Sequence, residues 1–340
     1  MNIIYDGIIS SLQSNGGVTV YFKELLSRIP SEKLHLYDYE NKLYDTERIS
    51  YILKPRFLER YRDFSASELM VLARLGDTVF HSSYYRVPAI KLPTVTTVHD
   101  FTYERFINGP AQWVHSWQKK RAIENSDIII CVSENTARDL QIYCPIPENK
   151  IRVIYNGVSR NYYPLNRLDI HSNEVVFVGT RGMYKNFHLA VQAVAKLKHL
   201  QLTIIGGGVL TDKELALLNH LLPGRYYYLG RLSDEALNEV YNRAYALLYP
   251  SSYEGFGIPI LEAMRAGCPV VAVNVSSIPE VAGNAAVLVD NGNVNELVEG
   301  LQFIEYNRHN LVQRGFGQAD KFSWDLCYQN TLCVYNELSK

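Results

Sequence analysis

Short apolar runs alternate with amphipathic stretches along most of this chain. Runs such as Glu174–Val178 and Ala246–Tyr249 are rich in β-branched and aromatic residues, which predicts buried strands. The stretch after residue 186 carries its apolar side chains at Leu189, Val194 and Leu197, which predicts a helix. Strands that alternate with helices favour a parallel, doubly wound sheet, so the pattern predicts the α/β class.

The same reading predicts elements from one end of the chain to the other. The fifteen or so residues after Val158, which include Pro164 and Asn173, carry little periodicity and are interpreted as a linker. Because domains usually contain about 100–200 residues, we expect two domains, at residues 1–160 and 161–322, followed by a helix at 323–340. Other helices are expected at 67–75, 110–125, 134–143, after the capping pair Thr211 and Glu214, and from Ser233 to 244. Other strands are expected at 2–5, 34–39, 49–53, 78–81, 94–98, 127–132, 151–154, 202–205, 226–229, 269–273 and 286–289.

Residues 249–264 hold two carboxylates, two glycines and a helix start. Pro259 suits the first turn of a helix and Gly267 suits its end, so residues 255–258 should lie at the helix N-terminus. Amide hydrogens there lack intrahelical partners and the helix dipole is positive, which attracts an anion such as a phosphate.

Glu254 and Glu262 flank this predicted anion site. A carboxylate only accepts hydrogen bonds, and its two oxygens suit the vicinal hydroxyls of a ribose or a hexose. An anion site between two such groups predicts a nucleotide-diphosphate sugar as ligand. The alternative is an ordinary helix start, with Glu254 near the dipole and Glu262 on a solvated face.

This stretch resembles the donor-site signature of family-four retaining glycosyltransferases with the GT-B fold. Glu254 and Glu262 are separated by seven residues, with Gly-Phe-Gly after the first and a Pro-x-x-Glu-Ala helix around the second. The resemblance implies two Rossmann-like domains facing across a cleft, with the C-terminal helix packing back on the first domain. It also implies that Glu254 contacts the transferred sugar and Glu262 the ribose, and that sugar and phosphate touch the backbone of Gly255, Phe256, Gly257 and Ile258.

Four other loops hold candidate residues. Gly16 and Gly17 precede a helix. A glycine pair at such a position is mostly just a turn, but in the resembling family such a pair faces the donor phosphates. His99 follows a predicted strand, and the family places a histidine here near the donor sugar and its leaving phosphate. Arg181 and Lys185 lie in a strand-to-helix loop, where the family uses an arginine and a lysine for the diphosphate; surface solvation is the alternative. Leu232 follows the strand at 226–229, near the place where related enzymes hold the nucleotide base of the donor.

Composition narrows the function further. Hydrophobic residues make up 47% of the chain and the net charge is −1, which is ordinary for a globular protein and gives no signal for a nucleic-acid partner. The five scattered cysteines and the nine unclustered histidines predict no metal site. Gly206–Gly208 lack the G-x-G-x-x-G pattern of dinucleotide-binding loops, so NAD is not expected. No other cofactor is expected either. Without a membrane-spanning run or a signal peptide, we expect a cytoplasmic protein.

Two stretches bear on the acceptor. Trp113 and Trp117 lie four residues apart in a predicted helix, followed by the basic residues 119–121, and residues 54–62 are again basic and aromatic. Such a combination fits peripheral contact with an anionic membrane or a lipid-diphosphate acceptor. A core helix with a solvated basic end is at least as good an interpretation.

The residues and the family resemblance together predict a metal-independent hexosyltransferase, and the resemblance implies that it retains the anomeric configuration. Its donor would be GDP-mannose or a UDP-hexose, and its acceptor a saccharide on a lipid carrier, in bacterial surface polysaccharide assembly such as that of lipopolysaccharide O-antigen. His99, Glu254, Arg181 and Lys185 are the expected catalytic residues. A sugar-nucleotide epimerase on the same fold and a noncatalytic nucleotide-sugar-binding protein remain alternatives.

Overall fold

The computed structural model describes residues 1–13, 16–39, 51–65, 69–70, 76–165 and 173–339. The chain divides into two compact units, the first made of Met1–Asn156 with Trp324–Lys340 and the second of Gly157–Ser323. Most of the helix expected at 67–75, the start of the strand expected at 49–53 and residues 166–172 of the expected linker lie outside the described residues.

The first unit is built on a parallel sheet. Within the described residues, its seven strands are arranged in the order β3-β2-β1-β4-β5-β6-β7. The strands are β1 (Asn2–Asp6), β2 (Leu34–Asp38), β3 (Tyr51–Ile52), β4 (Thr78–Ser82), β5 (Thr94–Val98), β6 (Ile128–Cys131) and β7 (Ile151–Val153). The helices are α1 (Ile9–Leu12), α2 (Gly17–Arg28), α3 (Thr102–Phe106), α4 (Pro110–Glu124) and α5 (Glu134–Tyr143).

The second unit repeats this plan. Six described strands form a parallel sheet in the order β10-β9-β8-β11-β12-β13. They are β8 (Glu174–Val178), β9 (Gln201–Ile205), β10 (Tyr226–Gly230), β11 (Ala246–Tyr249), β12 (Val270–Val273) and β13 (Val287–Val289). The helices are α6 (Phe187–Lys196), α7 (Asp212–Leu221), α8 (Asp234–Arg243), α9 (Ile258–Arg265), α10 (Ile278–Ala282) and α11 (Val294–Ala319). The predicted α/β class and parallel sheets are confirmed.

Local chemistry explains where several helices begin. The Ser133 hydroxyl accepts the Thr136 amide at the start of α5, and Thr211 and Glu214 form both bonds of a capping box on α7. Pro259 occupies the first turn of α9, as its fixed φ favours. Asn186 precedes α6 in the left-handed conformation, with φ 51° and ψ 39°, and does not cap it; its side-chain amide donates to the carbonyl of Pro250 at 2.9 Å.

The long helix α11 was not among the predicted elements. Its buried side chains Leu297, Leu301 and Ile304 belong to the core of the second unit, together with Val175 and Leu248 of the central strands. Gly300 lets the helix approach the sheet closely, because a Cβ at this position would lie 2.8 Å from Cγ1 of Val271. The second sheet therefore has a long helical cover over β12.

The last helix, α12 (Trp324–Leu338), belongs to the first unit. The Tyr335 hydroxyl is hydrogen-bonded to the hydroxyl of Tyr5 on β1 and, at 2.7 Å, to Nδ1 of His81 on β4. Arg28 of α2 pairs with Asp325 at 2.8 Å. These buried and peripheral bonds fix α12 to the sheet and to α2, although the chain reaches it only after completing the second unit.

The segment at 157–165 packs on the second unit. The Tyr163 amide donates to Asn238 and the Leu165 amide to Asn242, both on α8.

Within the described residues, no helix combines the length and the apolar character that crossing a bilayer requires.

Candidate functional site

The strand order of the second sheet defines where a ligand site is expected. Strands β8 and β11 are neighbours, and the next strand after each lies toward the opposite edge of the sheet. In such sheets ligands bind beyond the carboxyl ends of the strands at this reversal. The loops at this point are residues 179–186, after β8, and residues 250–257, after β11.

Two predicted residues meet at this point. Nζ of Lys185 lies 2.6 Å from Oε1 of Glu254, and the side chains are 13% and 11% exposed. The ammonium group also lies 5.4 Å from the ring centres of Tyr184 and Tyr249. A nearly buried cation and carboxylate, both still reachable from solvent, give the site one group for a phosphate and one for hydroxyls.

The two loops are tied to each other. The Ser252 amide and hydroxyl donate to the carbonyl of Tyr184 at 2.8 and 3.0 Å. Asn186 adds the bond to Pro250 described above. These bonds fix the separation between the two loops, and hence the contact between Lys185 and Glu254.

Two serines after β12 hold the Glu254 loop and were not predicted from the sequence. The Ser276 hydroxyl accepts the Glu254 amide at 2.9 Å. The buried Ser277 hydroxyl is 2.9 Å from both the Glu254 and the Phe256 carbonyl oxygens. Because β12 is the next strand in the sheet, its following loop lies at the same edge, and this adjacency was the available signal.

The predicted anion site at the start of α9 rests on backbone alone. Gly257 has φ 105° and ψ 49°, a left-handed conformation that glycine adopts without strain, and Ile258 begins the helix. The Phe256 side chain is buried and meets the Phe322 ring edge-on at 5.8 Å between centres. Phe256 therefore offers a ligand its backbone and not its ring, and Gly255 before it has no side chain to obstruct one.

Glu262 lies one turn further along α9. The Tyr241 hydroxyl of α8 donates to its Oε2 at 3.4 Å. Burial, with a smaller effect from the Asp234 carboxylate, raises the pKa of Glu262 to about 8. The carboxyl group is therefore largely protonated at neutral pH, and hydrogen-bond donors would favour its ionised form.

Arg181 is not joined to Lys185 and Glu254. Its side chain is 3% exposed and its Nε donates to Glu214 at 2.8 Å. The two terminal nitrogens donate to the backbone carbonyls of the glycine turn after β9, at residues 206–209. In the structure Arg181 therefore organises this turn. A Cβ at Gly207 would lie 2.5 Å from the guanidinium, so the turn requires glycine there.

Leu232 lies just beyond the carboxyl end of β10 and is partly exposed. The turn before it is anchored to the neighbouring strand, since the Gly206 amide donates to the Gly230 carbonyl at 2.6 Å.

The first unit holds the remaining predicted residues. Gly16 and Gly17 are exposed at the start of α2, and a Cβ on Gly17 would meet no atom within 4 Å. His99 follows β5 and meets the Tyr21 ring edge-on at 4.9 Å. Burial lowers the pKa of His99 to about 4, so its ring is neutral, and its Nε2 is buried without a hydrogen-bond partner among the described residues.

Helix α4, which carries the two tryptophans, differs from its interpretation as a core helix with a solvated basic end. Trp113 and Trp117 are 68% and 56% exposed, so they are not core residues. Lys119 is buried, paired with Glu104 at 2.8 Å, and it donates to the Asp100 carbonyl. Of the basic residues 119–121, only Lys120 is fully exposed.

Two family models match the chain and together span most of it. Residues 15–162 match the family described as Glycosyltransferase Family 4. Residues 166–318 match the family described as Glycosyl transferases group 1.

Similar proteins lead to the same family. The chain is 28% identical over 312 residues to O-antigen chain mannosyltransferase B of Escherichia coli, covering 84% of this chain and 81% of that protein. Among solved structures, sucrose-phosphate synthase from Thermosynechococcus elongatus has a TM-score of 0.79 at 18% identity, covering 99% of each chain. WaaG, a glycosyltransferase involved in lipopolysaccharide biosynthesis, has a TM-score of 0.73 at 14% identity, also covering 99% of each chain. With both of its halves matched by glycosyltransferase models, and with the fold of these structures, the chain belongs to the glycosyltransferases of the GT-B fold.

Proposed function

We propose that this enzyme transfers a hexose from a nucleotide-diphosphate sugar to a saccharide acceptor, with retention of anomeric configuration and without a metal ion. The observation that carries the proposal is the Lys185–Glu254 pair beside the N-terminus of α9, at the reversal point of the second sheet. A cation and backbone amides suit a diphosphate. The Glu254 carboxylate suits the hydroxyls of the transferred sugar, and the Glu262 carboxyl group, whose ionised form hydrogen-bond donors favour, suits those of the ribose.

Each part of the nucleotide-diphosphate sugar has a proposed partner in the protein. Lys185 and the backbone of Gly255, Gly257 and Ile258 bind the diphosphate, Glu254 orients the transferred sugar, and Glu262 accepts from the ribose. Leu232 packs on the base. Arg181 contributes by holding the glycine turn at residues 206–208, and a contact of its own with phosphate would cost it those bonds.

Departure of the nucleoside diphosphate is the difficult step. The bond between the anomeric carbon and the β-phosphate oxygen breaks, negative charge accumulates on that oxygen, and the sugar becomes oxocarbenium-like. Lys185 and the α9 amides stabilise the charge, and a preorganised donor of this kind is typically worth about 3 kcal/mol. The acceptor hydroxyl forms the new bond on the same face and passes its proton to the leaving phosphate, so no protein base is needed.

Two features of the first unit are proposed to serve the same reaction. His99 has a neutral ring with an unpaired buried nitrogen, which suits a hydrogen bond to the donor sugar or its leaving phosphate. Gly16 and Gly17 leave the first amides of α2 open to a phosphate.

The relative in Escherichia coli favours a particular donor and acceptor. Its name specifies mannosyl transfer to an O-antigen chain, which makes GDP-mannose the first donor to test and a UDP-hexose the second. The corresponding acceptor is a lipid-linked saccharide of surface polysaccharide assembly, met by peripheral contact with a membrane.

A protection screen followed by a transfer assay tests the proposal. At a concentration of 100 times its dissociation constant, the true donor should stabilise the protein by about 2.7 kcal/mol. With that donor, release of nucleoside diphosphate should require an acceptor and should persist in EDTA. Conversion of the donor without an acceptor would identify an epimerase, protection without turnover would identify a binding protein, and no protection by any nucleotide sugar would refute the proposal.

A further inference from the structure

Exposed aromatic and cationic side chains gather on one face of the first unit. This face, called here the aromatic-basic face, consists of the exposed side of α4 and the neighbouring segment 54–63. We propose that it docks the enzyme on an anionic lipid bilayer. The inference deepens the proposed function and rests on it, since the bilayer is where a lipid-linked acceptor is met.

The apolar side chains of this face are far more exposed than such residues usually are. Trp113 and Trp117 follow each other by one helical turn and are 68% and 56% exposed, and Phe57 is 83% exposed. Leu58 is 53% exposed and has φ 57°, a conformation that leucine rarely adopts. Holding a leucine out in a strained backbone costs free energy, which a contact with hydrocarbon would offset.

The two parts of the face are joined. The Gln118 side chain donates to the Arg60 carbonyl, and Arg121 pairs with Asp63 at 2.6 Å. From beneath, the buried Arg86 donates to the Arg62 carbonyl at 2.9 Å and pairs with Glu59 at 2.8 Å. The segment that carries Phe57 and Leu58 is thus fixed to α4 and to the sheet.

The charge of this face complements an anionic surface. Without the buried Lys119 and Glu59, residues 54–63 and α4 together contain six basic and two acidic residues, whereas the whole chain has 34 basic and 35 acidic ones. Arg56 and Lys120 keep 63% and 60% of their side chains exposed. Tryptophan beside lysine and arginine is the typical composition of a protein surface that lies among lipid headgroups. A protein partner of ordinary composition would have no matching excess of negative charge.

Vesicle binding tests the inference directly. The probes are vesicles of phosphatidylcholine with about one third phosphatidylglycerol, and vesicles of phosphatidylcholine alone. Of the three tryptophans, only Trp324 is buried, at 3% exposure, so a blue shift of fluorescence on vesicle addition reports Trp113 and Trp117. The full-length protein should sediment with the anionic vesicles, show this shift, and dissociate as salt is raised.

Matched variants distinguish vesicle binding by this face from non-specific adsorption of the protein to vesicles. The double variant Trp113→Ser, Trp117→Ser should bind at least about tenfold more weakly, since each loses an interfacial aromatic anchor. Its control changes Phe303 and Tyr306 to Ser, on α11 of the second unit, where they are 50% and 85% exposed. Lys120→Glu should weaken binding to anionic vesicles at least about fivefold. Its control is Lys198→Glu, exposed on the second unit.

Several results would overturn the inference. One is that the wild type does not bind anionic vesicles, and another is that the face variants and their controls bind them equally. A third is a dimer that the tryptophan variant abolishes, because the face would then bind a second copy of the protein. Nucleotide-sugar protection, measured without vesicles, is expected to be unchanged in the variants. Protection without docking refutes the docking alone, and docking without protection by any nucleotide sugar refutes the proposed function alone.

Discussion

At the residue scale, the two cations after β8 are used differently. Lys185 pairs with Glu254, whereas Arg181 uses its donors for Glu214 and for the carbonyls of the glycine turn. The sequence located both residues in one loop but gave no sign of this division, because hydrogen bonds over 25 residues or more leave no local pattern. The bonds of Ser277 to the Glu254 loop span 21 and 23 residues and leave no local pattern either, so only the adjacency of β12 could have indicated them.

Arg181→Lys tests the role of this arginine. Lysine keeps the charge but cannot reproduce the planar set of donors that binds Glu214 and four carbonyls. We expect Arg181→Lys to lose nearly as much turnover as Arg181→Ala, as measured by kcat and KM with the identified donor. Wild-type turnover in Arg181→Lys would show that only its charge matters.

Glu262→Gln tests the raised pKa of the Glu262 carboxyl group through the pH dependence of the free energy of unfolding. The native pKa of about 8 exceeds the ordinary value of 4.5, so the native protein keeps a proton that the unfolded chain releases. The free energy of unfolding of the wild type should therefore fall, relative to Glu262→Gln, as pH rises from about 5 to about 8. Denaturant unfolding across this range measures the difference, with Glu299→Gln, on the exposed side of α11, as control. A difference that does not change with pH would contradict the raised pKa.

At the scale of elements, the sequence predicted most strands to within a residue or two. The strands Thr94–Val98, Glu174–Val178 and Ala246–Tyr249 were predicted with their observed bounds, because buried parallel strands are compact apolar runs. Helix α11 was missed, although its buried Leu297, Leu301 and Ile304 have helical spacing. Helix α9 was predicted from Pro259 and Gly267, which mark its two ends.

Two glycines of α11 provide a matched test of its packing. A Cβ at Gly300 would lie 2.8 Å from the Val271 side chain, whereas one at Gly317 would meet nothing within 4 Å. Alanine favours helix at both positions, so the difference between the variants isolates the steric conflict. Gly300→Ala should unfold at least about 1 kcal/mol more easily than Gly317→Ala in denaturant melts. Equal stabilities would mean that α11 is not pressed against β12.

At the scale of the whole molecule, the chain builds one unit, then the other, and returns with α12 to the first. The sequence alone could not have shown this return, which was expected only from the family resemblance. In the structure it depends on the Tyr335 hydroxyl, which joins Tyr5 and His81 inside the first unit. The reversal point of each sheet, by contrast, follows from strand order, and the loops that hold Lys185 and Glu254 lie at the reversal point of the second sheet.

Tyr335→Phe should destabilise the first unit alone. Removing the hydroxyl leaves Tyr5 and His81 buried without this partner, at a cost of about 1–3 kcal/mol. In calorimetry the variant should lower the transition of the first unit, while the identified donor should still raise that of the second. Tyr306→Phe, at an 85% exposed position, is the control. A single transition lowered as a whole would contradict separate units.

The central claim is that Lys185 stabilises the leaving diphosphate, and turnover of Lys185→Ala tests it most directly. With the identified donor and acceptor, kcat should fall at least about a hundredfold, as the loss of one preorganised donor predicts. Lys196→Ala, an exposed lysine at the end of α6, should keep wild-type turnover. Turnover in Lys185→Ala equal to that of the wild type would contradict the account.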